Sequence, residues 1–357
     1  MSNHFSREPA DSSCATLLWL IGKEEDVRKR ELFLIDLLHK SSALRPNERN
    51  SVLAAGFSAF LPERSKAMSA SRPTTQEPQP LIDIDVAIIT LKKPELLAAK
   101  IAFGVSIDAA RPRIEKAYHF YEGEFENRRE MSEKYRFVLT VVGDDRNVPC
   151  SNCVRALLSV YRPKICVLVG MAAGDREKIG LGDVVVAEAV IDIAGGRAEV
   201  GGVIPRPDTF SISKAIRADL TNYDEGWAST FQTAVTTLRV LKDFPSISEP
   251  WIPKYKHGVI LSGEQLIADG SLEALRRARH EQAIALDMES SGFAQACISE
   301  DVPWIIFRGI SDFGDPESKD GAVPNDPARK NWQPYASLAA AWIARDFLSR
   351  RYRSDLF

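Results

Sequence analysis

Four apolar residues, Trp304-Ile305-Ile306-Phe307, run directly into the polar sequence Arg308-Gly309-Ile310-Ser311-Asp312-Phe313-Gly314-Asp315. This pattern predicts a buried strand that ends in an abrupt polar turn. In an open α/β sheet, ligands bind just beyond the carboxyl ends of the strands, so a carboxylate placed there can act as a proton donor. A second acidic cluster, Leu286-Asp287-Met288-Glu289-Ser290, lies a short way upstream and also follows an apolar segment. Two acidic strand ends this close in sequence predict one pocket with two chemical tasks.

The bulk composition indicates a globular protein. The 357 residues are 45% hydrophobic and 27% charged, and the formal net charge is −3. This charge gives no global basic field that would attract nucleic acid or an anionic membrane. No apolar run approaches the roughly 20 residues of a membrane span, and Met1-Ser2-Asn3-His4 lacks the basic start of a secretory signal. We therefore expect a cytoplasmic protein with no nucleic-acid or membrane partner.

The cysteines do not indicate a metal site. Five cysteines in a chain of this length do not form a disulfide framework, and the pair Cys150 and Cys153 has no second CxxC to complete a zinc site. We expect both to be ordinary small buried residues, with no bound metal.

A linker divides the chain. Residues 69–80 are rich in Pro, Ser and Thr and show no apolar periodicity, which is typical of a linker. Before it, residues 1–68 contain two predicted helices, at 24–40 and 47–60. The expected organisation is a small, mainly helical regulatory or oligomerisation module at 1–68, a linker at 69–80 and a larger domain at 81–357.

Strands and helices alternate after the linker, which predicts an α/β sheet covered on both faces. A glycine-containing turn is expected at 170–174. Strands are predicted at 85–90, 136–142, 164–169, 183–191, 257–261, 283–286 and 304–307. Helices are predicted at 94–103, 151–161, 271–280, 288–298 and 331–350.

Four pieces in this order carry a family resemblance: Val86–Thr90 followed by Glu95, the glycine turn with Leu181–Val186 after it, Leu286–Ser290, and Arg308–Asp315. On these motifs, residues 82–350 resemble the purine nucleoside phosphorylase / methylthioadenosine nucleosidase superfamily. The resemblance implies a three-layer α/β/α domain with a central mixed sheet. It also implies cleavage of a purine N-glycosidic bond without a metal or organic cofactor.

Roles follow from this resemblance, position by position. Asp312 matches the general acid that protonates the purine, typically at N7, and such an acid needs a raised pKa to work at neutral pH. Glu289 matches the carboxylate that binds the ribose hydroxyls, and Met288 is expected to pack against the sugar. Glu95 matches the carboxylate that activates water in the nucleosidases. Asp287 stands where nucleosidases usually have Glu, which leaves its role open.

Other positions are expected to line the substrate. The resemblance places Leu266 and Ile267 in the segment that borders the purine, and Gly170, Met171 and Ser311 in the two predicted turns that are expected to bind substrate. Bacterial phosphorylases hold phosphate with an Arg and a Ser around the central turn. Here that turn reads Leu168-Val169-Gly170-Met171 and supplies no charge-assisted donor. The resemblance therefore favours water over phosphate as the nucleophile.

The C-terminal part is similar to nucleosidase domains that are fused to signalling modules and destroy purine nucleotides in bacterial antiphage defence. The similarity rests on 308–315 and on Lys330-Asn331-Trp332-Gln333-Pro334-Tyr335-Ala336. It implies hydrolysis of ATP or a related adenine nucleotide by a regulated, homo-oligomeric effector, with a possible upstream signalling partner acting through 1–68. Candidate cations for the 5′ phosphates are Lys92, Lys93, Arg146, Arg206 and Lys330. Two alternatives stay open, a salvage nucleosidase for methylthioadenosine or S-adenosylhomocysteine and a non-catalytic nucleotide sensor.

Overall fold

The computed structural model describes the larger domain. It covers residues 80–107, 110–129, 133–199, 202–223, 231–236, 251–265, 267, 271–314 and 326–351, with the backbone alone at 198, 202, 203 and 326–330. The chain separates into two units at Pro80/Leu81. The predicted N-terminal helices and the linker expected at 69–80 lie outside the described residues, apart from Pro80.

Twelve strands are found in the described part of the chain. They are β1 (Ile82–Thr90), β2 (Arg113–Glu115), β3 (Tyr118–Glu126), β4 (Lys134–Val141), β5 (Tyr161–Gly174), β6 (Val184–Asp192), β7 (Gly196–Glu199), β8 (Gly202–Pro205), β9 (Asp208–Ser211), β10 (Tyr255–Ser262), β11 (Ala283–Asp287) and β12 (Trp304–Asp312).

The main helices pack around these strands. They are α1 (Lys93–Phe103), α2 (Asn147–Leu158), α3 (Lys214–Thr221), α4 (Leu272–Arg279), α5 (Ser290–Ser299) and α6 (Asp326–Ser349). Helix α1 packs against α6, whereas α2 packs against α5. None of the described helices has the length and apolar character needed to cross a bilayer.

The sheet is mixed, as predicted. Its strands follow the order β11-β10-β6-β12-β5-β1-β4-β3-β2, with β9 attached to β6. Strand β1 runs parallel to β4 and β5, whereas β12 runs parallel to β5 and antiparallel to β6. Because β11 pairs with β5 as well as with β10, one part of the sheet closes on itself and brings the ends of β5, β11 and β12 together.

Two predicted turns are strand instead. Strand β5 continues through the expected glycine turn to Gly174, and β12 continues past Phe307 to Asp312. The two extensions pair with each other, with Arg308 opposite Gly170 and Asp312 opposite Ala173. Locally, the polar residues and the glycine indicate a turn at both places. The prediction was wrong because each extension pairs with the other, and this tertiary pairing outweighs the local preference.

Glycine permits two close approaches that frame the site. A Cβ on Gly309 of β12 would stand 2.0 Å from the Ala336 carbonyl oxygen of α6, and a Cβ on Gly292 would stand 2.2 Å from the Asn147 carbonyl oxygen of α2. Only a residue without a side chain lets these helices lie so near.

Three local features differ from the sequence prediction. Helix α5 begins at Ser290 rather than at Met288, so Met288 and Glu289 lie in the loop after β11. Helix α2 begins at Asn147 rather than Ser151 and carries Cys150 and Cys153, both buried and free. The β2–β3 hairpin, the β7–β8 hairpin, β9 and α3 were not predicted; β2, β7, β8 and β9 have only three or four residues each, too few for a periodic signal.

Candidate active site

A cavity of about 650 Å³ opens where β1, β5, β11 and β12 end. Nine of the residues predicted for the site line it: Lys92, Glu95, Arg146, Met171, Ile267, Met288, Glu289, Ser311 and Asp312. The other lining residues are Leu91, Asp144, Asp145, Val148, Pro149, Ala172, Ala173, Glu264, Leu286, Asp287 and Gln333. The motifs that are separated in sequence therefore meet in one place.

Glu95 is held in the cavity by backbone groups. It occupies the first turn of α1 and is 1% exposed. Its Oε2 accepts hydrogen bonds from the backbone N–H of Leu91 at 2.6 Å and of Lys92 at 2.9 Å, and its Oε1 accepts one from Met171 at 2.9 Å. Burial raises the pKa of Glu95 above its ordinary value, while Arg308 and the three N–H groups oppose the rise. The result is a fixed carboxylate that is more basic than an exposed one.

Arg308 lies under the site and connects its carboxylates. It is fully buried. Its Nε donates to Asp287 Oδ2 at 2.7 Å and its Nη2 donates to Glu289 Oε2 at 3.2 Å. Its Nη1 is buried and has no hydrogen-bond partner among the described atoms. Sequence reasoning quoted Arg308 in a motif but gave it no role. An arginine inside an otherwise apolar strand was the available signal, since such a group is buried only with partners.

Gly170 makes room for Glu95 and Arg308. A Cβ at this position would stand 2.4 Å from Arg308 Nη1 and 2.5 Å from Glu95 Oε1. Gly170, which was predicted to line the substrate, is not among the lining residues found in the described part of the chain. Its lack of a side chain lets Arg308 and Glu95 approach each other beside Met171.

Glu289 is buried and accepts a hydrogen bond from a residue whose backbone conformation is strained. Its Oε1 accepts a hydrogen bond from the backbone N–H of Arg146 at 3.3 Å, and Arg146 has φ +88° and ψ 163°, a region favoured by glycine. Burial raises the pKa of Glu289 to about 7. Arg308 opposes this rise, and the charges of Asp287 and Glu95 add to it. Glu289 is therefore a carboxyl group that changes charge close to neutral pH.

Asp287 holds the loop that carries Glu289. Its Oδ1 accepts hydrogen bonds from the backbone N–H groups of Glu289 at 3.3 Å and Ser290 at 3.1 Å, and its Oδ2 accepts from Arg308 and from the Ser290 hydroxyl. The role that the sequence left open is thus one of positioning Glu289 and Arg308.

Asp312 lies half-buried at the end of β12. Its Oδ2 accepts a hydrogen bond from the Ser311 hydroxyl at 2.8 Å, and its Oδ1 accepts one from the backbone N–H of Gly314 at 3.0 Å. These contacts fix the direction of the carboxyl group, which borders the cavity together with Ile267.

A polar network that the sequence did not reveal closes the side near α2. Asn147 Nδ2 donates to Glu264 Oε1 at 3.0 Å, and Asn147 Oδ1 accepts from the backbone N–H of Gly292 at 2.8 Å. Gln333 of α6 also lines the cavity and was likewise not predicted.

The candidate cations are distributed unevenly. Lys92 and Arg146 line the cavity, and Lys92 Nζ lies 3.0 Å from Asp145 Oδ2. Lys93 and Arg206 are exposed and are not among the lining residues found in the described part of the chain. The side chain of Lys330 and all of Leu266 lie outside the described residues.

This arrangement suits acid–base cleavage of a bond to a sugar. One buried carboxylate (Glu95) and one half-buried carboxyl (Asp312) border the same space, and a third (Glu289) lies beside a buried guanidinium. Cleavage through an oxocarbenium-like sugar is commonly catalysed by a pair of carboxyl groups, one acid and one base or nucleophile.

The chain is similar to several known proteins. ATP nucleosidase Cap17 from Escherichia coli (strain KTE188) is 30% identical over 268 residues, which are 74% of this chain and 50% of that protein. A 5′-methylthioadenosine/S-adenosylhomocysteine nucleosidase from Bacillus thuringiensis subsp. konkukian is 27% identical over 166 residues, which are 45% of this chain and 62% of that relative. The chain thus spans about half the length of the first relative and less than two thirds of the second.

Solved structures share the fold. A 5′-methylthioadenosine/S-adenosylhomocysteine nucleosidase from Neisseria meningitidis superposes with a TM-score of 0.54 at 18% identity, covering 74% of this chain and 98% of that one. Futalosine hydrolase from Helicobacter pylori gives a TM-score of 0.53 at 14% identity, covering 75% and 97%. The sequence profile of the phosphorylase superfamily matches residues 87–345. The chain therefore belongs to the phosphorylase superfamily, which confirms the family predicted from the four motifs.

Proposed function

We propose that this protein is a purine N-glycosidase that uses water to release adenine from ATP or a related adenine nucleotide. The observation that carries the proposal is the backbone-held carboxylate of Glu95, which shares one cavity with Glu289 and Asp312. Similarity to an ATP nucleosidase supports the substrate class.

The proposed mechanism assigns one task to each carboxyl group. Asp312 donates a proton to purine N7, which turns the base into a better leaving group as the C1′–N9 bond breaks. Glu95 accepts a proton from a water molecule that attacks C1′. Glu289 accepts hydrogen bonds from the ribose hydroxyls and stabilises the positive charge that develops on the sugar. The products are the free base and the sugar with a hydroxyl at C1′.

Arg308 fits this mechanism as an electrostatic partner. Its Nη1 and Glu95 Oε1 both lie within 2.5 Å of the point where a Gly170 Cβ would stand. The guanidinium would therefore favour the charged form of Glu95, which is the form that accepts a proton from the attacking water in the cavity.

Hydrolysis is favoured over phosphorolysis by charge. A phosphate ion beside the sugar would meet the carboxylates of Glu95 and Glu289, and Met171 offers only a backbone N–H that already binds Glu95. A dianion placed there would need several free cationic donors, whereas Arg308 is already paired with two carboxylates.

A second function has some support. Similarity to the methylthioadenosine/S-adenosylhomocysteine nucleosidase favours a salvage enzyme, and most of the charged residues that line the cavity are acidic. This alternative predicts a preference for uncharged 5′ groups. A non-catalytic nucleotide sensor predicts binding without product.

The organisation around the domain completes the proposal. We infer that residues 1–68 form a regulatory or oligomerisation module, that 69–80 act as a linker and that 81–357 form the catalytic domain. The enzyme would work in the cytoplasm as a homo-oligomer in antiphage defence, with an upstream signal acting through 1–68.

The test is mass spectrometry of the full chain incubated with ATP, dATP, AMP, adenosine and methylthioadenosine, with and without phosphate. Adenine and ribose triphosphate formed without phosphate would support the proposal. Asp312→Asn, which keeps the acceptor for Gly314, should abolish base release without loss of folding. Release from methylthioadenosine alone would favour salvage, and ribose 1-phosphate would favour a phosphorylase. No product from any compound would leave two choices, a sensor or an enzyme whose N-terminal module awaits its activator.

A further inference from the structure

We propose that the ion pair between Lys92 and Asp145 selects for phosphorylated substrates, because Lys92 exchanges Asp145 for a phosphate on the sugar's 5′ oxygen. This inference rests on the proposed function of the cavity. It attributes the preference for phosphorylated substrates to one pair of residues, in which Asp145 competes with the phosphate for Lys92.

The pair bridges two loops whose backbone N–H groups bind the carboxylates Glu95 and Glu289. Lys92 belongs to the β1–α1 loop, and its backbone N–H donates to Glu95. Asp145 belongs to the β4–α2 loop, and the next residue, Arg146, donates its backbone N–H to Glu289. The ion pair thus lies on the side of the cavity that would hold the sugar, whereas Asp312 and Ile267 would border the base.

Lys92 can change partners at little cost. Both side chains line the cavity, and they are 46% and 40% exposed. An ion pair this accessible to water is weak and is readily broken. A phosphate offers more charge and more acceptor oxygens than a single carboxylate, so it competes well for the ammonium group.

Asp145 opposes this exchange. Its Oδ1 is buried and has no hydrogen-bond partner among the described atoms, and its Oδ2 contacts Lys92 Nζ at 3.0 Å, so Lys92 compensates the part of its charge that water does not. When Lys92 turns to a phosphate, the carboxylate of Asp145 loses that compensation close to the incoming anion. Separating Lys92 from Asp145 therefore costs free energy on substrate binding. A substrate with several phosphates offsets this cost more easily than one with a single phosphate or none.

Two neighbours provide matched controls. Asp144 lines the same rim, but its Oδ1 accepts the backbone N–H of Asp145 at 2.8 Å, and an asparagine oxygen can keep that bond. Asp144→Asn therefore removes one rim charge without removing the partner of Lys92. Lys93 is exposed beside Lys92 and does not line the cavity, so Lys93→Met reports the effect of surface charge alone.

The experiment is calorimetric binding of adenosine, AMP, ADP and ATP to the full chain carrying Asp312→Asn, which under the proposed function binds without turnover. Lys92→Met should weaken ATP binding about tenfold and leave adenosine binding within about twofold. Asp145→Asn should tighten ATP binding about two- to fivefold, more for ATP than for AMP. The gain should disappear when Lys92→Met is also present.

Three results would overturn the inference. These are an equal effect of Lys92→Met on adenosine and ATP, a gain from Asp144→Asn as large as that from Asp145→Asn, and a gain that persists without Lys92. Lack of measurable binding of every compound would overturn it too. Base release by the unmodified chain is measured separately, so a failed hydrolase with the predicted binding pattern would refute only the proposed function.

Discussion

Arg308 Nη2 lies 3.2 Å from Glu289 Oε2; both side chains are buried, and Glu289 lines the cavity while Arg308 lies beneath it. The same guanidinium binds Asp287 and lies near Glu95, so one positive charge serves three carboxyl groups. Coupling of this kind makes the chemistry of the site depend on a residue at its base.

Removal of Arg308 should therefore damage both stability and activity. Arg308→Met leaves Asp287 and Glu289 buried without a cation, which we expect to cost about 3–5 kcal/mol of unfolding free energy. Urea denaturation and base release measure the two effects. Arg308→Lys is the matched control, since it keeps the charge but cannot bind both carboxylates at once. Its stability and activity should lie between those of Arg308→Met and those of the unmodified chain. Equal stability of Arg308→Met and the unmodified chain would contradict the proposed coupling.

Two glycines on neighbouring strands should respond differently to alanine. A Cβ on Gly309 would meet the backbone of Ala336, which cannot move without displacing α6, so Gly309→Ala should cost about 3 kcal/mol or more. The atoms nearest to a Cβ on Gly170 would be the ends of the Arg308 and Glu95 side chains.

Gly170→Ala should thus cost less than Gly309→Ala, about 1–3 kcal/mol, because two side chains must shift but no backbone must, and it should lower the rate of base release at least about tenfold by displacing Glu95. Thermal denaturation and initial rates of both variants provide the comparison. A Gly170→Ala protein with full activity would show that the position of Glu95 is not critical.

The pKa of Glu289 predicts a pH-dependent stability. Burial raises this pKa from its ordinary value near 4.5 to about 7, so the folded state binds a proton that the unfolded state has released. Stability is therefore greatest below the unfolded pKa and falls as the pH rises from about 4.5 to about 7. The midpoint temperature of unfolding should decrease over this window. Glu289→Gln cannot titrate at this position, so the decrease in its midpoint temperature should be smaller. If the pH dependence were unchanged in Glu289→Gln, groups other than Glu289 would cause it.

The motifs predicted residues that meet in one cavity, but they did not predict the full length of the strands that build it. Glu95, Glu289 and Asp312 were singled out because they match a known motif, and all three border the cavity, whereas their catalytic roles stay predictions. The extension of β5 and β12 beyond the glycine and arginine was missed, because those backbone groups are satisfied by each other rather than by local structure. The link between Arg146 and Glu289 was equally invisible, since it depends on a backbone N–H in an uncommon conformation.

That conformation leads to the last prediction. Arg146 adopts φ +88° and ψ 163°, which costs a residue with a Cβ about 1–3 kcal/mol, whereas glycine adopts it freely. Arg146→Gly should relieve this strain and, after the extra entropy of glycine in the unfolded chain is subtracted, raise the unfolding free energy by about 1 kcal/mol. Arg146→Ala is the control, because it removes the same side chain but keeps the strain and should give no gain. Urea denaturation of the pair separates the two effects. If alanine and glycine proved equally stable, the backbone at this position would not be strained, and the N–H bond to Glu289 would have to be maintained at no conformational cost.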